Sequence, residues 1–197
     1  MRVRARGIAG LLTLTGALCL PGGARCGRDE MAVPADRQVT LLLKVLTYDR
    51  QLEGRASGEL VIGVVSVPTD PASVKATEEV GNTLYQYLGK TVKRLKLQFF
   101  LHNYTTAEKL AAWVRDKHIG VLYVSPGNER NLAAILKISQ DRKVTTMTGV
   151  PLYVERGVSV GIGERQSKPQ IMINLASSRR EGSDFDASLL RIATVIK

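Results

Sequence analysis

The 197-residue chain has few of the residue types on which metal sites and covalent cross-links depend. It contains two cysteines, Cys19 and Cys26, and two histidines, His102 and His118. Both cysteines lie near the N-terminus, so the body of the chain cannot form an internal disulfide. Neither histidine has a second His or Cys at the spacing typical of metal ligands. We therefore expect no metal site, and we expect burial of apolar side chains to stabilise the fold.

Aromatic residues are scarce, at 5% of the chain, whereas Lys and Arg outnumber Asp and Glu by 28 to 18. The resulting net charge of +10 suits nucleic acid, an anionic membrane or a cell-wall polymer. The basic residues do not alternate with aromatic residues, as a platform for stacking bases requires, and we expect no nucleic-acid partner. The densest basic segment, KTVKRLKLQFFL at residues 90–101, has the alternation of a half-buried strand.

No apolar run reaches the roughly 18 residues that a membrane-spanning helix needs. The run GIAGLLTLTGALCL covers residues 7–20 and follows three arginines, Arg2, Arg4 and Arg6. Basic, apolar and small residues in this order predict a Sec-type signal peptide over residues 1–24. The alternative is an N-terminal anchor that stays uncleaved.

Cleavage of this leader is expected after Ala24, with Cys26 and Ala35 as weaker choices. The chain that remains is long enough for one domain with a core of its own, which we place at residues 36–197. We therefore expect a protein exported to the periplasm of a bacterium.

Helix and strand patterns alternate through most of the chain. Predicted helices cover about residues 36–52, 71–88, 105–117 and 128–142, and predicted strands cover 59–67, 95–101, 119–125 and 144–148. Three residue pairs mark helix starts: Asp70 with Pro71, Thr105 with Glu108, and Ser125 with Pro126. This alternation predicts an α/β fold, a mostly parallel sheet flanked by helices.

The pattern changes near the C-terminus. GVSVGIGE at residues 157–164 and PQIMINL at 169–175 predict an antiparallel hairpin at the edge of the sheet. A final helix is expected to pack on the sheet through one apolar face, formed by Phe185, Leu189, Leu190, Ala193 and Ile196.

The chain offers no convincing catalytic motif. Residues 157–161 fit the G-x-S-x-G pattern of hydrolases, but Ser159 lies within a predicted strand that is followed by another strand, and no His follows His118. The carboxylates that could pair in acid–base catalysis are typical of helix surfaces and helix starts: Glu78, Glu79, Asp184 and Asp186. No phosphate-binding loop occurs either. We expect neither enzymatic activity nor a cofactor.

One edge of the predicted sheet collects polar residues. Open parallel sheets bind ligands beyond the carboxyl ends of their strands. Seven residues lie at or just after these ends: Ser66, Thr69, Asn103, Tyr104, Ser125, Asn128 and Thr148. They form the candidate ligand-binding site, although a helix cap would explain Ser125 and a turn would explain Asn103.

Several short segments of the C-terminal half occur in the order found in a known family. They are VTTMTG at residues 144–149, ERG at 155–157, IN at 173–174, a segment from Ala176 to Gly182 in the place of the family's A-x-x-x-G helix, and SLLRIA at 188–193. In this order they resemble the YfiR family of periplasmic regulators, as does GVLYVSPGNERNLAAIL at 120–136. The resemblance covers residues 120–197 well, and residues 36–52 and the first strand more loosely.

The chain also departs from that family. Family members carry an aromatic-rich first helix that ends near Trp-Pro, where this chain has KVLTYDRQLEG at residues 44–54. The disulfide cysteines of some members are missing, as is a second Gly after Gly157. These differences bear on the choice of partner and on redox control.

The resemblance implies a non-enzymatic periplasmic protein that binds and represses the sensor part of a membrane-bound signalling protein, such as a diguanylate cyclase or a kinase. The alternative is a receptor for a small molecule or a cell-wall ligand at the seven-residue site. The sequence leaves open whether the protein forms a homodimer and which surface meets the partner.

Overall fold

A computed structural model describes residues 29–196. The predicted signal peptide at residues 1–24 lies outside this part of the chain, as do the cleavage positions Ala24 and Cys26. The third cleavage position, Ala35, begins the first helix and is 5% exposed. Cleavage there would remove Val33, which is also buried in the core.

Helices and strands alternate along the described residues. The helices are α1 (Ala35–Leu46), α2 (Leu52–Arg55), α3 (Pro71–Tyr85), α4 (Ala107–Asp116), α5 (Leu132–Arg142), α6 (Pro151–Glu155), α7 (Leu175–Arg180) and α8 (Ala187–Ile192). The strands are β1 (Glu59–Ser66), β2 (Thr91–Val92), β3 (Leu95–Asn103), β4 (Val121–Val124), β5 (Thr145–Thr148), β6 (Val160–Arg165), β7 (Lys168–Asn174) and β8 (Thr194–Ile196). A single 3-10 turn, Glu129–Asn131, precedes α5.

The strands form one sheet in the order β2-β3-β1-β4-β5-β6-β7-β8. Pairing is parallel throughout, except in the hairpins β2–β3 and β6–β7. The predicted α/β class, with a mostly parallel sheet, flanking helices and a C-terminal antiparallel hairpin, is confirmed.

Apolar clusters cover both faces of the sheet. The side chains of β1 contribute alternately to the two clusters, because successive residues of a strand point to opposite faces of the sheet. Leu60, Ile62 and Val64 join the cluster with α1, α3 and α8, whereas Val61 and Val65 join the cluster with α4, α5 and α6. The near-continuous apolar run in the sequence is thus a strand buried on both faces.

Of the three predicted helix starts, one is confirmed as written. The Asp70 carboxylate accepts hydrogen bonds from the amides of Ala72 (2.8 Å) and Ser73 (3.3 Å). In α4 the cap is Thr106 rather than Thr105, and its hydroxyl accepts from the Lys109 amide. Ser125 caps no helix, because three further residues and the 3-10 turn separate it from α5.

The first predicted helix, residues 36–52, is wrong at its C-terminal end. Helix α1 ends at Leu46, and Asp49 then forms a β-bridge with Phe185. The Asp49 carboxylate accepts from the amides of Gln51 (3.0 Å) and Asp184 (2.9 Å). This carboxylate therefore stabilises a turn, and α2 begins separately at Leu52.

The basic segment at residues 90–101 is a hairpin rather than a single strand. Lys93 has φ 53°, which turns the chain between β2 and β3 and pairs Val92 with Leu95. Both of these apolar residues are buried, and the Lys93 ammonium donates to the Asp49 carbonyl at 2.5 Å. Lys93 at the turn therefore holds the hairpin to the loop between α1 and α2.

The C-terminal prediction needs two corrections. The β6–β7 hairpin, turned at Gln166 and Ser167 with φ 51° and 58°, is not at the sheet's edge, because β8 pairs in parallel with β7. The final helix ends at Ile192, and Ala193 is already extended. The apolar residues of this tail are compatible with either a helix or a strand. The tail forms a strand because β7 has a free side with which β8 pairs.

The short helix α6 was not predicted. It begins at Pro151, a residue favoured at the first helical position, and buries Tyr153 and Val154. Its five residues are too few to show the periodicity of a helix.

Candidate functional site

The seven predicted site residues follow strands β1, β3, β4 and β5, which are neighbours in the sheet. The chain leaves β1 towards β3 on one side, whereas β4 leads to β5 on the other. The space beyond the ends of β1 and β4, called the crevice below, is therefore a topological switch point, where open α/β sheets bind ligands.

Ser66, Asn103 and Tyr104 lie together at the ends of β1 and β3. The Ser66 hydroxyl donates to the Asn103 side-chain oxygen at 2.8 Å, and the Tyr104 amide donates to the Ser66 carbonyl at 2.7 Å. Burial, and secondly the charge of Glu108, raise the pKa of Tyr104. Asn103 is exposed, so this pair of strand ends presents an amide and a neutral phenol to solvent.

Ser125, Asn128 and Thr148 are fully buried and bond to the protein itself. The Ser125 hydroxyl shares a 2.8 Å hydrogen bond with Thr77 of α3. The side-chain amide of Asn128 donates to the carbonyls of Val65 (3.1 Å) and Ser125 (3.0 Å), and the Thr148 hydroxyl donates to the Val124 carbonyl at 2.9 Å. These three side chains fix the loops at the switch point.

Thr69 lies apart from the others, exposed in the turn that follows β1. The structure thus brings Ser66 together with Asn103 and Tyr104, and gathers Ser125, Asn128 and Thr148 beneath the crevice. Of the seven residues, Thr69 and Asn103 are the ones classed as exposed.

The crevice also holds a residue that sequence reasoning missed. Asp29, before α1, contacts both the loop after β4 and helix α6: its Oδ2 accepts from the Gly127 amide (2.7 Å) and from the Tyr153 hydroxyl (2.6 Å). Its Oδ1 is buried and makes no hydrogen bond to the described residues. The Ala32 amide donates to the Gly149 carbonyl at 3.1 Å. The segment before α1 thus covers the crevice.

Electrostatics at Asp29 are unfavourable to its charged form. Burial is the largest cause that raises the pKa of Asp29, and the negative charges of Glu129 and Asp70 raise it further, against the two hydrogen bonds. Burial likewise raises the pKa of Tyr153, as does its bond to Asp29. Sequence periodicity gave no signal for this contact, because Asp29 lies in a segment without helix or strand pattern.

The loop that receives Asp29 requires glycine at its tip. Gly127 has φ +81°, and a Cβ at this position would lie 2.5 Å from Oδ2 of Asp70 and 3.2 Å from Cβ of Ser73. Because Gly127 has no Cβ, the loop can approach Asp70 and Ser73 closely while its amide donates to Asp29.

A second polar cluster surrounds Glu181 between α7 and α8. This carboxylate is fully buried and accepts from the Ser139 hydroxyl (2.7 Å), from both the amide and the hydroxyl of Thr146 (2.8 Å each), and from the Ser159 hydroxyl. Burial raises the pKa of Glu181 in spite of these donors. Ser159, which lies just before β6 rather than within a strand, is thus engaged by a structural carboxylate.

Next to this cluster, Arg55 joins the α1–α2 region to the C-terminal half. Its Nη2 donates to the carboxylate of Asp49 (2.5 Å) and to the hydroxyls of Thr145 (3.0 Å) and Ser183 (3.1 Å), and its Nη1 donates to the Lys143 carbonyl (2.9 Å). Asp49 is fully buried. The segment in which the sequence departs most from the resembled family is therefore built into the core by an ion pair.

Neither cluster resembles a catalytic or metal centre. Within residues 29–196, no group of three or more His, Cys, Asp or Glu side chains is arranged to hold a metal ion. Asn174 ends β7 and caps α7, since its side-chain oxygen accepts from the Ser177 amide at 3.0 Å.

Comparison with known proteins decides the family. The model of the YfiR/HmsC-like family matches residues 41–194. The chain belongs to the YfiR/HmsC-like family. Its members are periplasmic regulators, and the resemblance seen in the sequence is confirmed. No curated protein matches the chain.

Two solved structures share the fold of this YfiR/HmsC-like protein. An ABC domain in complex with L-Trp from Streptococcus pneumonia and a conserved domain protein from Vibrio cholerae each match with a TM-score of 0.58 and 15% identity, over 83% of this chain and 60% of theirs. A ligand-free, open substrate-binding protein with adhesive properties from Clostridium difficile matches with a TM-score of 0.49 and 18% identity, over 75% and 57%. The chain thus spans about 60% of the first two.

No helix within residues 29–196 is both long and apolar enough to cross a membrane.

Proposed function

We propose that this protein binds the periplasmic sensor part of a membrane-bound signalling protein, of the diguanylate cyclase type, and represses it. The observation that carries the proposal is the family match over residues 41–194. Supporting it, the Ser159 hydroxyl of the G-x-S-x-G segment is bonded to buried Glu181 rather than to a histidine base.

Repression of this kind requires a difference in affinity. The protein binds the inactive state of its partner more tightly than the active state, and binding then shifts the partner's population towards inactivity. A hundredfold difference in affinity corresponds to about 2.7 kcal/mol, which a few contacts at an interface supply. No covalent step is needed.

Measurement of cellular cyclic di-GMP tests whether the protein represses a diguanylate cyclase. Deletion of the gene is expected to raise cellular cyclic di-GMP, and re-expression of the exported chain is expected to lower it again. A matched control expresses the same chain without residues 1–24, which is retained in the cytoplasm and should not restore the low level. An unchanged level in the deletion strain would count against repression of a cyclase.

A second candidate function is the binding of a small anionic ligand in the crevice, and Asp29 favours it. This carboxylate occupies the switch point with two donors on one oxygen and no partner for the other in the described residues. A carboxylate ligand would meet the same donors, Gly127 and Tyr153, by displacing the segment before α1. Binding to the folded state would raise the melting temperature, whereas partner binding alone gives no such shift with small molecules.

The two functions are compatible. A ligand that displaced Asp29 would alter the surface at the crevice and thereby the affinity for the partner. Thermal shifts with small carboxylates, in the wild type and in Asp29→Ala, distinguish them: the ligand hypothesis expects a larger shift in the variant. Equal absence of a shift in both proteins would leave repression as the sole proposed function.

A further inference from the structure

Strand β3 has an outer side that the rest of the fold leaves unpaired. On its inner side it pairs in parallel with β1 from Lys96 to Asn103. On its outer side β2 reaches only Leu95 and Lys96, and the turn before β2 adds two hydrogen bonds at Leu97. No strand within residues 29–196 pairs with the outer side of residues 98–103. This stretch, called the open edge below, is roughly 20 Å long at 3.3 Å per residue.

Two hydrogen bonds show which backbone groups of the open edge face outward. The Leu97 amide donates outward to the Lys90 carbonyl at 2.8 Å, whereas the Tyr104 amide donates inward to the Ser66 carbonyl at 2.7 Å. Successive residues of a strand direct their backbone groups to opposite sides. The amides and carbonyls of Phe99, Leu101 and Asn103 therefore point outward, where a further strand would bind them.

Apolar side chains surround the open edge. Five large apolar side chains of the described residues are exposed, and four of them lie on β3 or at the C-terminal end of α3: Tyr85, Leu88, Phe100 and Leu101. Lysine and proline commonly protect the exposed edges of sheets, and residues 98–103 contain neither. The open edge is therefore a template for strand addition.

The two faces of the sheet differ in chemistry at the open edge. Phe99 and Leu101 point to the face that carries α3, where a Cβ at Gly81 would lie 3.5 Å from Leu101. Phe100 points to the opposite face, because successive side chains of a strand alternate. On that face the Lys117 ammonium, just after α4, lies 5.0 Å from the centre of the Phe100 ring. An added strand thus meets an apolar surface on one face and a cation on the other.

Three lysines around the open edge form no ion pair within residues 29–196: Lys90, Lys96 and Lys117. Lys96 is exposed on the same face as Lys117. The Lys90 ammonium lies 4.8 Å from the centre of the Tyr87 ring. Because its carbonyl accepts from Leu97, Lys90 lies where an added strand would end. The cations therefore flank the open edge at one end and along one face.

Carboxylates do not neutralise these cations at the edge itself. Glu59 lies opposite Lys96, but on β1, one strand further into the sheet. Asp116 is already 2.8 Å from Arg115. The surface at the open edge is therefore positive, and complementary charge selects an acidic occupant. The same cations would repel a second copy of this chain.

We propose that the open edge is the docking site for an extended segment of a partner protein in which apolar and acidic side chains alternate. The apolar side chains pack beside Phe99 and Leu101. The acidic side chains approach Lys96 and Lys117 on the other face. Backbone hydrogen bonds supply affinity, and the alternation of side chains supplies specificity. The inference rests on the proposed function in one respect, that the sensor part of the repressed membrane protein supplies this segment.

Synthetic peptides test strand addition on the purified protein. The probe is a fluorescein-labelled, seven-residue peptide of alternating valine and glutamate with blocked ends, and its control replaces each glutamate with lysine. Fluorescence anisotropy should show that the acidic peptide binds at least tenfold more tightly than the basic one, and that added salt weakens its binding. Equal binding of the two peptides, or no binding of the acidic one, overturns the proposal.

Methylated peptides distinguish strand addition from attraction by charge alone. Only alternate residues of a paired strand direct their backbone groups to the neighbouring strand. N-methylation of all valine amides and N-methylation of all glutamate amides should therefore differ in effect. One set removes hydrogen bonds to Phe99, Leu101 and Asn103 and lowers affinity at least tenfold, while the other leaves it nearly unchanged. Equal affinities of the two methylated peptides contradict strand addition.

Variants of the protein test the position of the docking site. Leu101→Pro removes an amide that points outward and so breaks no hydrogen bond to β1, whereas Leu101→Val keeps this amide. Leu101→Pro should lower the affinity for the acidic peptide at least tenfold, and Leu101→Val only slightly. Lys117→Gln should weaken binding severalfold, while Lys168→Gln, exposed on the β6–β7 hairpin, should not. Circular dichroism establishes that the variants are folded, and wild-type affinity in Leu101→Pro overturns the proposal.

Cyclic di-GMP in variant strains separates this inference from the proposed function. Leu101→Pro should raise cyclic di-GMP as gene deletion does, whereas Leu101→Val should keep it low. Full repression by Leu101→Pro would overturn the open edge as the docking site and leave the proposed repression intact. An unchanged level in the deletion strain would instead contradict repression, and with it the sensor part as the source of the segment, whereas the peptide measurements decide the open edge itself.

Discussion

The Tyr153 hydroxyl donates a 2.6 Å hydrogen bond to the carboxylate of Asp29, a residue 124 positions earlier in the chain. This bond fastens the segment before α1 over the crevice at the carboxyl edge of the sheet. The segment thus lies where proteins of this architecture bind ligands. Whatever enters the crevice must first displace this carboxylate.

Substitution of Asp29 separates its hydrogen bonds from its charge. Asp29→Ala leaves the Tyr153 hydroxyl and the Gly127 amide without their acceptor and should reduce the free energy of unfolding by about 1–2 kcal/mol. Asp29→Asn keeps an acceptor oxygen and should cost less at pH 7. Urea denaturation of the three proteins measures the difference, and a larger loss in Asp29→Asn than in Asp29→Ala would contradict the assigned contacts.

The same pair of variants gives a pH dependence with a definite sign. Folding raises the pKa of Asp29 above 3.8. The protonated side chain therefore contributes to the free energy of unfolding below pH 3.8, and this contribution is lost as the pH rises through the raised pKa. Relative to Asp29→Asn, the wild type should therefore lose stability as pH rises from 4 to 7. A constant difference across this range would show that the carboxylate is not buried.

Glu181 is expected to stabilise the fold as a hydrogen-bond acceptor rather than through its negative charge. Glu181→Leu removes the acceptor for a buried amide and buried hydroxyls, and should destabilise the fold by about 2–4 kcal/mol. Glu181→Gln keeps one acceptor oxygen for the Thr146 amide and should cost less. Since burial raises the pKa of Glu181, the advantage of wild type over Gln should shrink as pH rises above 4.5.

Arg55 and Arg50 offer a matched pair of ion-pair deletions. Arg55→Met leaves the fully buried Asp49 carboxylate without its cation and should reduce the free energy of unfolding by about 3–5 kcal/mol. Arg50→Met breaks an exposed contact of 2.7 Å with Asp186, and its effect should be much smaller because solvent screens this pair. Similar losses in the two variants would contradict the burial of the Asp49–Arg55 pair.

Alanine substitutions at Gly127 and Gly58 distinguish the cost of a steric clash from the cost of backbone strain. Both have positive φ, +81° and +91°, but a Cβ at Gly127 would collide with Asp70, whereas a Cβ at Gly58 meets open space. Gly58→Ala should cost about 1 kcal/mol from strain alone. Gly127→Ala should cost at least about 2 kcal/mol and loosen the seat of Asp29. Thermal melts of the two variants decide between these effects.

Much of this fold follows from local sequence signals. Strand β1 and the Asp70–Pro71 start of α3 were predicted because a doubly buried strand and a capped helix each have a pattern of their own. The tail at residues 193–196 was predicted as helix, because its apolar residues suit either structure and only the free side of β7 selects the strand. The edge at β7 cannot be known before the sheet is assembled.

The candidate site shows the same division. The strand ends were predicted, and Ser66 and Asn103 meet there as expected for neighbouring parallel strands. Asp29 and Glu181 were missed because their importance comes from partners more than twenty residues away. A lone carboxylate in a sequence looks like solvated surface until its donors are placed around it.

The most direct test of the proposed repressor function is cross-linking of the tagged protein in intact cells of its native host, followed by purification and mass spectrometry. We expect recovery of a membrane protein with a periplasmic sensor part and a cytoplasmic cyclase or kinase domain. A folded bait that recovers no such protein would contradict repression by direct binding and would favour the ligand receptor.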